Sequence, residues 1–215
     1  MMTKSRKNLG PKPLVFPMVV FIIGTYDEDG NPNAMNAAWG GVGNDEEIFI
    51  CLSANHKTCK NFEKTGAFTV GIATKDTVIS SDYVGLVSAN NDKDKFMKSG
   101  FTATKSEFVN APLINELPLV LECEVTSWEP EKCHLFGKIV NVSADESILD
   151  DKGKVDVDKL KPISYEGSGH TYRILGDVVG HAFHDGLALN WRKMYKKHWF
   201  YSRKMYHLTT DILLF

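Results

Sequence analysis

Apolar residues in this chain recur as short, β-branched runs bounded by turn residues, a pattern that predicts strands rather than long helices. Residues 14–24 form the first run. Asp27-Glu28-Asp29-Gly30 then supplies turn chemistry before a second strand over residues 33–39, which predicts a hairpin. Ile48-Phe49-Ile50-Cys51-Leu52 reads as a buried strand, and residues 68–73 as another. Over residues 119–128 the alternation is regular, with Leu121, Cys123 and Val125 on one face and Glu122, Glu124 and Thr126 on the other. That predicts an antiparallel strand with one face in water. Glu129-Pro130-Glu131 joins it to a partner over residues 132–143, and residues 171–175 give a final strand. Helical patterns are short: residues 76–88, 92–99 and 155–160. Antiparallel strands with few long helices favour a barrel over a doubly wound sheet.

Two polar clusters interrupt this β pattern, Asn36-Ala37-Ala38-Trp39-Gly40-Gly41 and Ser53-Ala54-Asn55-His56-Lys57-Thr58-Cys59-Lys60-Asn61. In the second, Lys57, Thr58, Asn61 and Phe62 are spaced as on the first turns of a helix, so Lys57 and Asn61 share a face. A helix start offers free N–H groups and a positive dipole end, and Ser53, His56, Lys57 and Thr58 make it suited to a phosphate. The chain carries no P-loop. The first cluster supplies small residues that let a planar ligand approach the backbone, beside amides and one indole. Together they point to a phosphorylated, flat, partly apolar cofactor.

The order of an Asn-Ala-Ala-Trp segment, a strand, Ser53-x-x-His56-Lys57-Thr58-x-x-Asn61 and then Asp82-Tyr83-Val84-Gly85 resembles the flavin reductase-like proteins of the FMN-binding split-barrel class, flavoredoxins being nearest by pattern. Asp94-Lys95-Phe96, Gly100-Phe101-Thr102, Ala111-Pro112-Leu113-Ile114 and Leu121-Glu122-Cys123 extend it, and the resemblance spans residues 12–189. It implies a mainly β, antiparallel Greek-key split barrel with a few short peripheral helices. It also implies FMN as cofactor, with Met35, Asn36, Ala37, Ala38 and Trp39 against the ring and ribityl chain. Ser53, His56, Lys57, Thr58 and Asn61 would hold the phosphate, while Tyr83, Val84, Gly85, Lys95 and Phe96 carry over as further contacts. The implied activity is an oxidoreductase that passes electrons from NADH or NADPH to flavin or a redox partner protein, working as a homodimer with FMN near the subunit interface. The alternatives are a flavoredoxin-like electron carrier with bound FMN and no NAD(P)H turnover, and an FMN-binding sensor or storage module.

At 215 residues, 43% hydrophobic and 24% charged, the chain has the size and composition of one soluble domain, placed at residues 12–189 after an extension at 1–11. It has no apolar run long enough to cross a bilayer and no signal-peptide core, so a cytoplasmic location is the default expectation. Residues 190–215 form a basic, aromatic tail: residues 191–215 hold six basic residues against one acidic, a net +5 that leaves −7 on the rest. Packing of those aromatics on the acidic body is the favoured reading, with nucleic acid and membrane disfavoured. Cys51, Cys59, Cys123 and Cys133 include no Cys-x-x-Cys pair and read as structural thiols. Cys59 is the one whose place beside Lys57 and Lys60 would favour a reactive thiolate. His181 and His184 lack a third ligand at matching spacing, so no metal site is expected. No Ser-His-Asp order or paired catalytic carboxylates appear, and no catalytic side chain is assigned. Flavin chemistry needs alignment more than a protein acid or base.

Overall fold

The computed structural model describes residues 5–189, and the basic tail read from the sequence lies outside them. Residues up to Leu175 form one compact unit. Beyond it, Asp185–Leu189 is a short 3-10 turn belonging to a second unit.

The first apolar run is two strands, not one. Pro13 and Pro17 lack the N–H that a ladder needs, so residues 14–16 stay exposed and outside the sheets. β1 (Met18–Val19) and β2 (Phe21–Tyr26) follow, separated at Val20. The Val20 N–H donates to the Ile163 carbonyl, while its own carbonyl accepts from Ala73 N–H, so the chain changes sheets there. The expected hairpin is present: Asp27 Oδ1 accepts from the N–H groups of Asp29 and Asn31, Gly30 takes the left-handed conformation, and β3 (Pro32–Ala37) returns alongside β2.

Next come β4 (Gly40–Asn44), β5 (Glu47–Cys51), helix α1 (Lys57–Thr65) and β6 (Ala67–Ile72). α2 (Val78–Leu86), α3 (Lys95–Lys98), β7 (Ala103–Lys105) and β8 (Pro112–Ile114) follow. The chain continues through β9 (Leu119–Glu129), β10 (His134–Ala144), α4 (Val157–Leu160), β11 (Ile163–Glu166) and β12 (Thr171–Ile174). One antiparallel sheet runs β3-β2-β6-β9-β10-β5-β4, with β1-β11-β12 and β7-β8 as smaller sheets. This is the split barrel that the sequence pattern implied. Register shifts in the β9–β10 ladder at Phe136/Gly137 and Ile139/Asn141 help the sheet curl. Gly137 is required at the first shift, because a Cβ there would lie 2.3 Å from Phe68 Cζ.

Sequence periodicity missed β4, whose Gly-Gly-Val-Gly-Asn composition is poor in strand formers, and also the short β7, β8 and β11. The run of apolar residues through β2 is explained by burial on both faces. Phe21 and Ile23 join Ile50, Phe62, Phe68 and Leu135 in one core, while Val20 and Ile22 join Val84, Phe101, Ile114 and Ile163 in another.

The expected solvated face of β9 is corrected at Glu122, which is 1% exposed. Ser106, Asn141 and Ser143 donate to its carboxylate, so the sequon-like Asn141-Val142-Ser143 supplies internal donors. Burial pushes the Glu122 carboxyl pKa up, and the three donors outweigh it, leaving a pKa below the ordinary value.

A folded-state pKa below the unfolded one contributes stability that is complete above the unfolded value and is lost as pH falls through the folded one. Glu122→Ala is expected to cost about 2–4 kcal/mol at neutral pH, since it leaves three donors without their acceptor. Urea titration of the variant and the parent should show that difference shrinking below about pH 4; an unchanged midpoint would contradict the role assigned to this carboxylate.

Candidate functional site

The site is built on two adjacent elements, the start of α1 and the face of β3. His56 occupies the N-cap of α1, no side chain caps the helix, and its first turn contains no acidic residue. The positive end of the helix is therefore left for an anion. A buried polar cluster fixes it in place: Asn33 Nδ2 on β3 donates to Thr58 Oγ1 at 2.9 Å, and Asn61 Nδ2 donates to Thr25 Oγ1 on β2 at 3.0 Å. Thr58 and Asn61 thus face inward, at 1% and 2% exposure. Asn33 Oδ1 is buried and meets no hydrogen-bond donor among the described residues.

The opposite wall is α2 with the segment that follows it. Asn36 Nδ2 donates to the Ser81 carbonyl at 2.9 Å, and a Cβ on Gly85 would lie 3.0 Å from Asn36 Cβ, so glycine allows the helix to close on β3. Between these walls lies a cleft of about 210 Å³. It gathers Met35, Asn36, His56, Lys57, Thr58, Val84, Gly85 and Lys95 from four separate stretches of sequence. Phe96 lines an adjoining cleft that shares Asn33 and Lys57 with the first. Tyr83 faces a third hollow together with Tyr172, whose hydroxyl donates to Asp82 Oδ1 at 2.7 Å.

The remaining sequence candidates lie elsewhere. Ala37 is packed in the core, Ala38 is half-buried, Ser53 is exposed, and Asn61 points inward. Trp39 is 54% exposed and does not line the cleft of its own chain. Nor do both glycines after it serve a planar ligand: a Cβ on Gly40 would meet the Phe49 carbonyl at 2.6 Å, so β5 demands that glycine, whereas Gly41 faces open space.

Electrostatics mark the cleft as a place for negative charge. Lys95 is 3% exposed, yet no carboxylate among the described residues lies within ion-pair distance of its ammonium. Burial pushes its pKa down to about 8. Burial, and then the Lys95 charge, also hold the His56 pKa below its ordinary value. An anion placed among Lys57, Lys95 and the α1 start would relieve both costs. Asn33 and the burial of Lys95 escaped the sequence reading; the signal for the former was its strand phase, two residues before buried Met35.

Cys59 is a buried structural thiol, as the sequence favoured, and not the reactive one that its cationic neighbours would allow. It is fully buried, its Sγ lies 3.3 Å from the Ser53 carbonyl, and burial pushes the thiol pKa up to about 12. Proximity to a helix start is overridden by desolvation. Among the described residues, no group of three His, Cys, Asp or Glu side chains is placed to hold a metal ion, and no helix is long and apolar enough to cross a membrane.

Comparison with known proteins places these features in a family. The sequence model of the flavin reductase like domain matches residues 14–168. Among solved structures, the flavoredoxin of Desulfovibrio vulgaris (Miyazaki F) superposes with a TM-score of 0.81 at 33% identity, covering 85% of this chain and all of that one. The flavoredoxin from Methanosarcina acetivorans gives 0.75 at 26% identity, covering 87% and 99%. An uncharacterized protein of Aquifex aeolicus is 25% identical over 173 residues, 76% of this chain and 88% of that one.

Because Lys95 has a lower pKa folded than unfolded, the unfolded chain binds more protons between pH 8 and 10.5, and ligand-free stability should rise with pH across that window. Lys95→Met is expected to flatten the rise and to stabilise the ligand-free protein at pH 7 by up to about 3 kcal/mol. Thermal unfolding from pH 7 to 10.5 checks both; a destabilised variant would mean that the ammonium is already paired.

Proposed function

The chain belongs to the flavin reductase-like domain family, and on that premise we propose that it is an FMN-binding flavoprotein oxidoreductase that takes electrons from NADH or NADPH and passes them to flavin or a protein acceptor. The observation that carries the proposal is the buried, unpaired Lys95 beside an uncapped helix start, in a cleft whose other end is made by Met35, Asn36 and Gly85. Such a cation lowers stability unless an anion completes it. The unsatisfied Asn33 Oδ1 is an acceptor suited to a ligand hydroxyl. One phosphate and a chain of hydroxyls leading to a flat ring match these three features.

In this reading His56, Lys57, Lys95 and the α1 backbone bind the phosphate, and Thr58 shapes the floor. Asn33 and Met35 flank the ribityl chain, and Asn36, Val84 and Gly85 border the ring. FMN, when bound, supplies hydride and single-electron chemistry. The protein's part is to orient the ring and exclude water. The residues bordering it offer no general acid or base, which agrees with transfer that needs none. The family relation to two flavoredoxins also supports the electron carrier as the second reading.

The cleft of one chain is smaller than a drug-sized ligand pocket of roughly 300–1,000 Å³. Trp39, Val42, Ile79 and Leu86 stay exposed as large apolar side chains. A homodimer that covers them and completes the site is the proposed working unit, with Trp39 meeting the ring through the second copy. The domain is taken to run over residues 12–189, as the sequence pattern suggested.

Lys57→Ala should weaken FMN binding by roughly ten- to a hundredfold while leaving riboflavin, which lacks the phosphate, far less affected. Equal losses would remove Lys57 from the phosphate site. Anaerobic bleaching of the yellow protein by NADH or NADPH at a catalytic rate supports the reductase, and reduction by dithionite alone supports the carrier. A colourless protein that takes up no added FMN would sink both. Sedimentation should show FMN strengthening the dimer by mass action, and a monomer binding FMN with the same affinity at every protein concentration would exclude the shared site.

A further inference from the structure

We propose that the stretch between α2 and α3 is a strap across the cleft and that Asn90 is its latch, setting how fast a bound flavin enters and leaves; the inference rests on the flavin reading above. Val87, Ser88 and Ala89 line the cleft on the wall that faces His56, Lys57 and Thr58. A ligand lying on the α1 start is therefore covered by them. Nothing in the core holds this stretch down, for no residue from Gly85 to Asp94 is buried, whereas Val84 before it and Lys95 after it are. Its backbone hydrogen bonds are local: the Val87 N–H donates to the Tyr83 carbonyl, and the Asn91 and Asp92 N–H groups both donate to the Ser88 carbonyl. At the far end the Asp92 carboxylate accepts from Lys98 on α3 at 2.9 Å. These bonds shape the strap without crossing the cleft.

Among the described residues, the Asn90 side chain makes the only hydrogen bonds that join this stretch to the α1 side. Its Nδ2 donates to the Asn55 carbonyl at 3.0 Å, and its Oδ1 accepts from Lys60 Nζ at 3.1 Å. Asn55 precedes the His56 N-cap and Lys60 lies in the first turn of α1, so both halves of the amide grip the helix that the buried Asn33 and Asn61 amides fix in place. Asn90 is thus a positioning residue that acts through the strap. Its partners are a carbonyl and an ammonium that are not needed for the flavin, so the latch resists opening equally whether the site is filled or empty. Exposed hydrogen bonds of this kind are individually weak, which suits a fastening that opens whenever ligand exchanges. Loosening it should speed entry and exit together and leave affinity nearly unchanged, whereas loss of a ligand contact would weaken affinity through exit alone.

FMN association with and dissociation from the full-length protein are followed by stopped-flow flavin fluorescence. Asn90→Ala, at an exposed position, is expected to raise both rates by about five- to tenfold and to change Kd by no more than about twofold. Lys60→Met, also exposed, removes one of the two bonds and is expected to raise both rates by about two- to threefold. Amide hydrogen exchange should quicken at residues 87–92 of the Asn90→Ala protein and stay unchanged in α1. Unchanged rates, unchanged exchange, or a weaker Kd that arises from dissociation alone overturns the latch and leaves the flavin reading standing. Failure of the parent protein to bind FMN overturns that reading, and this inference with it.

Discussion

Everything at the site depends on one buried polar cluster, the amides of Asn33 and Asn61 clasping the hydroxyls of Thr58 and Thr25. In the interior, a satisfied hydrogen-bond network is directional and costly to rearrange, so it fixes the roll and axial position of α1 against β2 and β3. Apolar packing of Cys59 and Phe62 beneath would hold the helix down without fixing where its first turn points. The cluster therefore converts general adhesion into a defined direction for the helix dipole. β2 can anchor it because both its faces are buried, an arrangement that leaves the strand little freedom to slip.

On that fixed frame the fold holds a charge that its own stability would reject. Lys95 sits on α3, a single turn whose packing leaves the residue 3% exposed without an acidic neighbour in range of its ammonium. Elsewhere the pattern is the opposite: buried Glu122 is met by three donors, and the surface lysines Lys64, Lys98 and Lys132 each reach a carboxylate. The buried charged side chains of this unit thus differ in how their burial is offset, Glu122 by three donors and Lys95 by no carboxylate in range. An anion bound beside Lys95 would offset the cost of its burial.

Much of this was legible in the residues. The hairpin at Asp27–Gly30, the α1 start at Lys57 and the β9–β10 pair follow from turn chemistry and period-two alternation, which are local properties. Lys57 and His56 could be placed at a helix start by spacing alone. The misses were non-local. Gly40–Asn44 becomes a strand because β5 offers it a ladder, not because its residues prefer one. Glu122 is buried because residues 106, 141 and 143 arrive with donors, and nothing in the alternation of β9 announces that. Asn33 and the burial of Lys95 belong to the same class: each follows only when α3 and α1 pack across β3. Cys59 shows why the structural reading was the sounder one, since its sequence neighbours are cationic but its spatial neighbours are apolar.

The same distinction bears on the two sides of α2. The cationic groups of the cleft come from the α1 start and from α3, whereas the hollow at Val78, Ile79, Leu86 and Tyr172 lies along α2. α2 is tied to β3 through Asn36 and to β12 through the Asp82–Tyr172 hydrogen bond. A group docking on that outer surface meets a helix whose inner side borders the cleft, with Leu86 lining both hollows. Because Leu86 reaches both, a group covering the outer hollow and a group in the cleft would touch one shared side chain, so α2 couples the two surfaces rather than separating them.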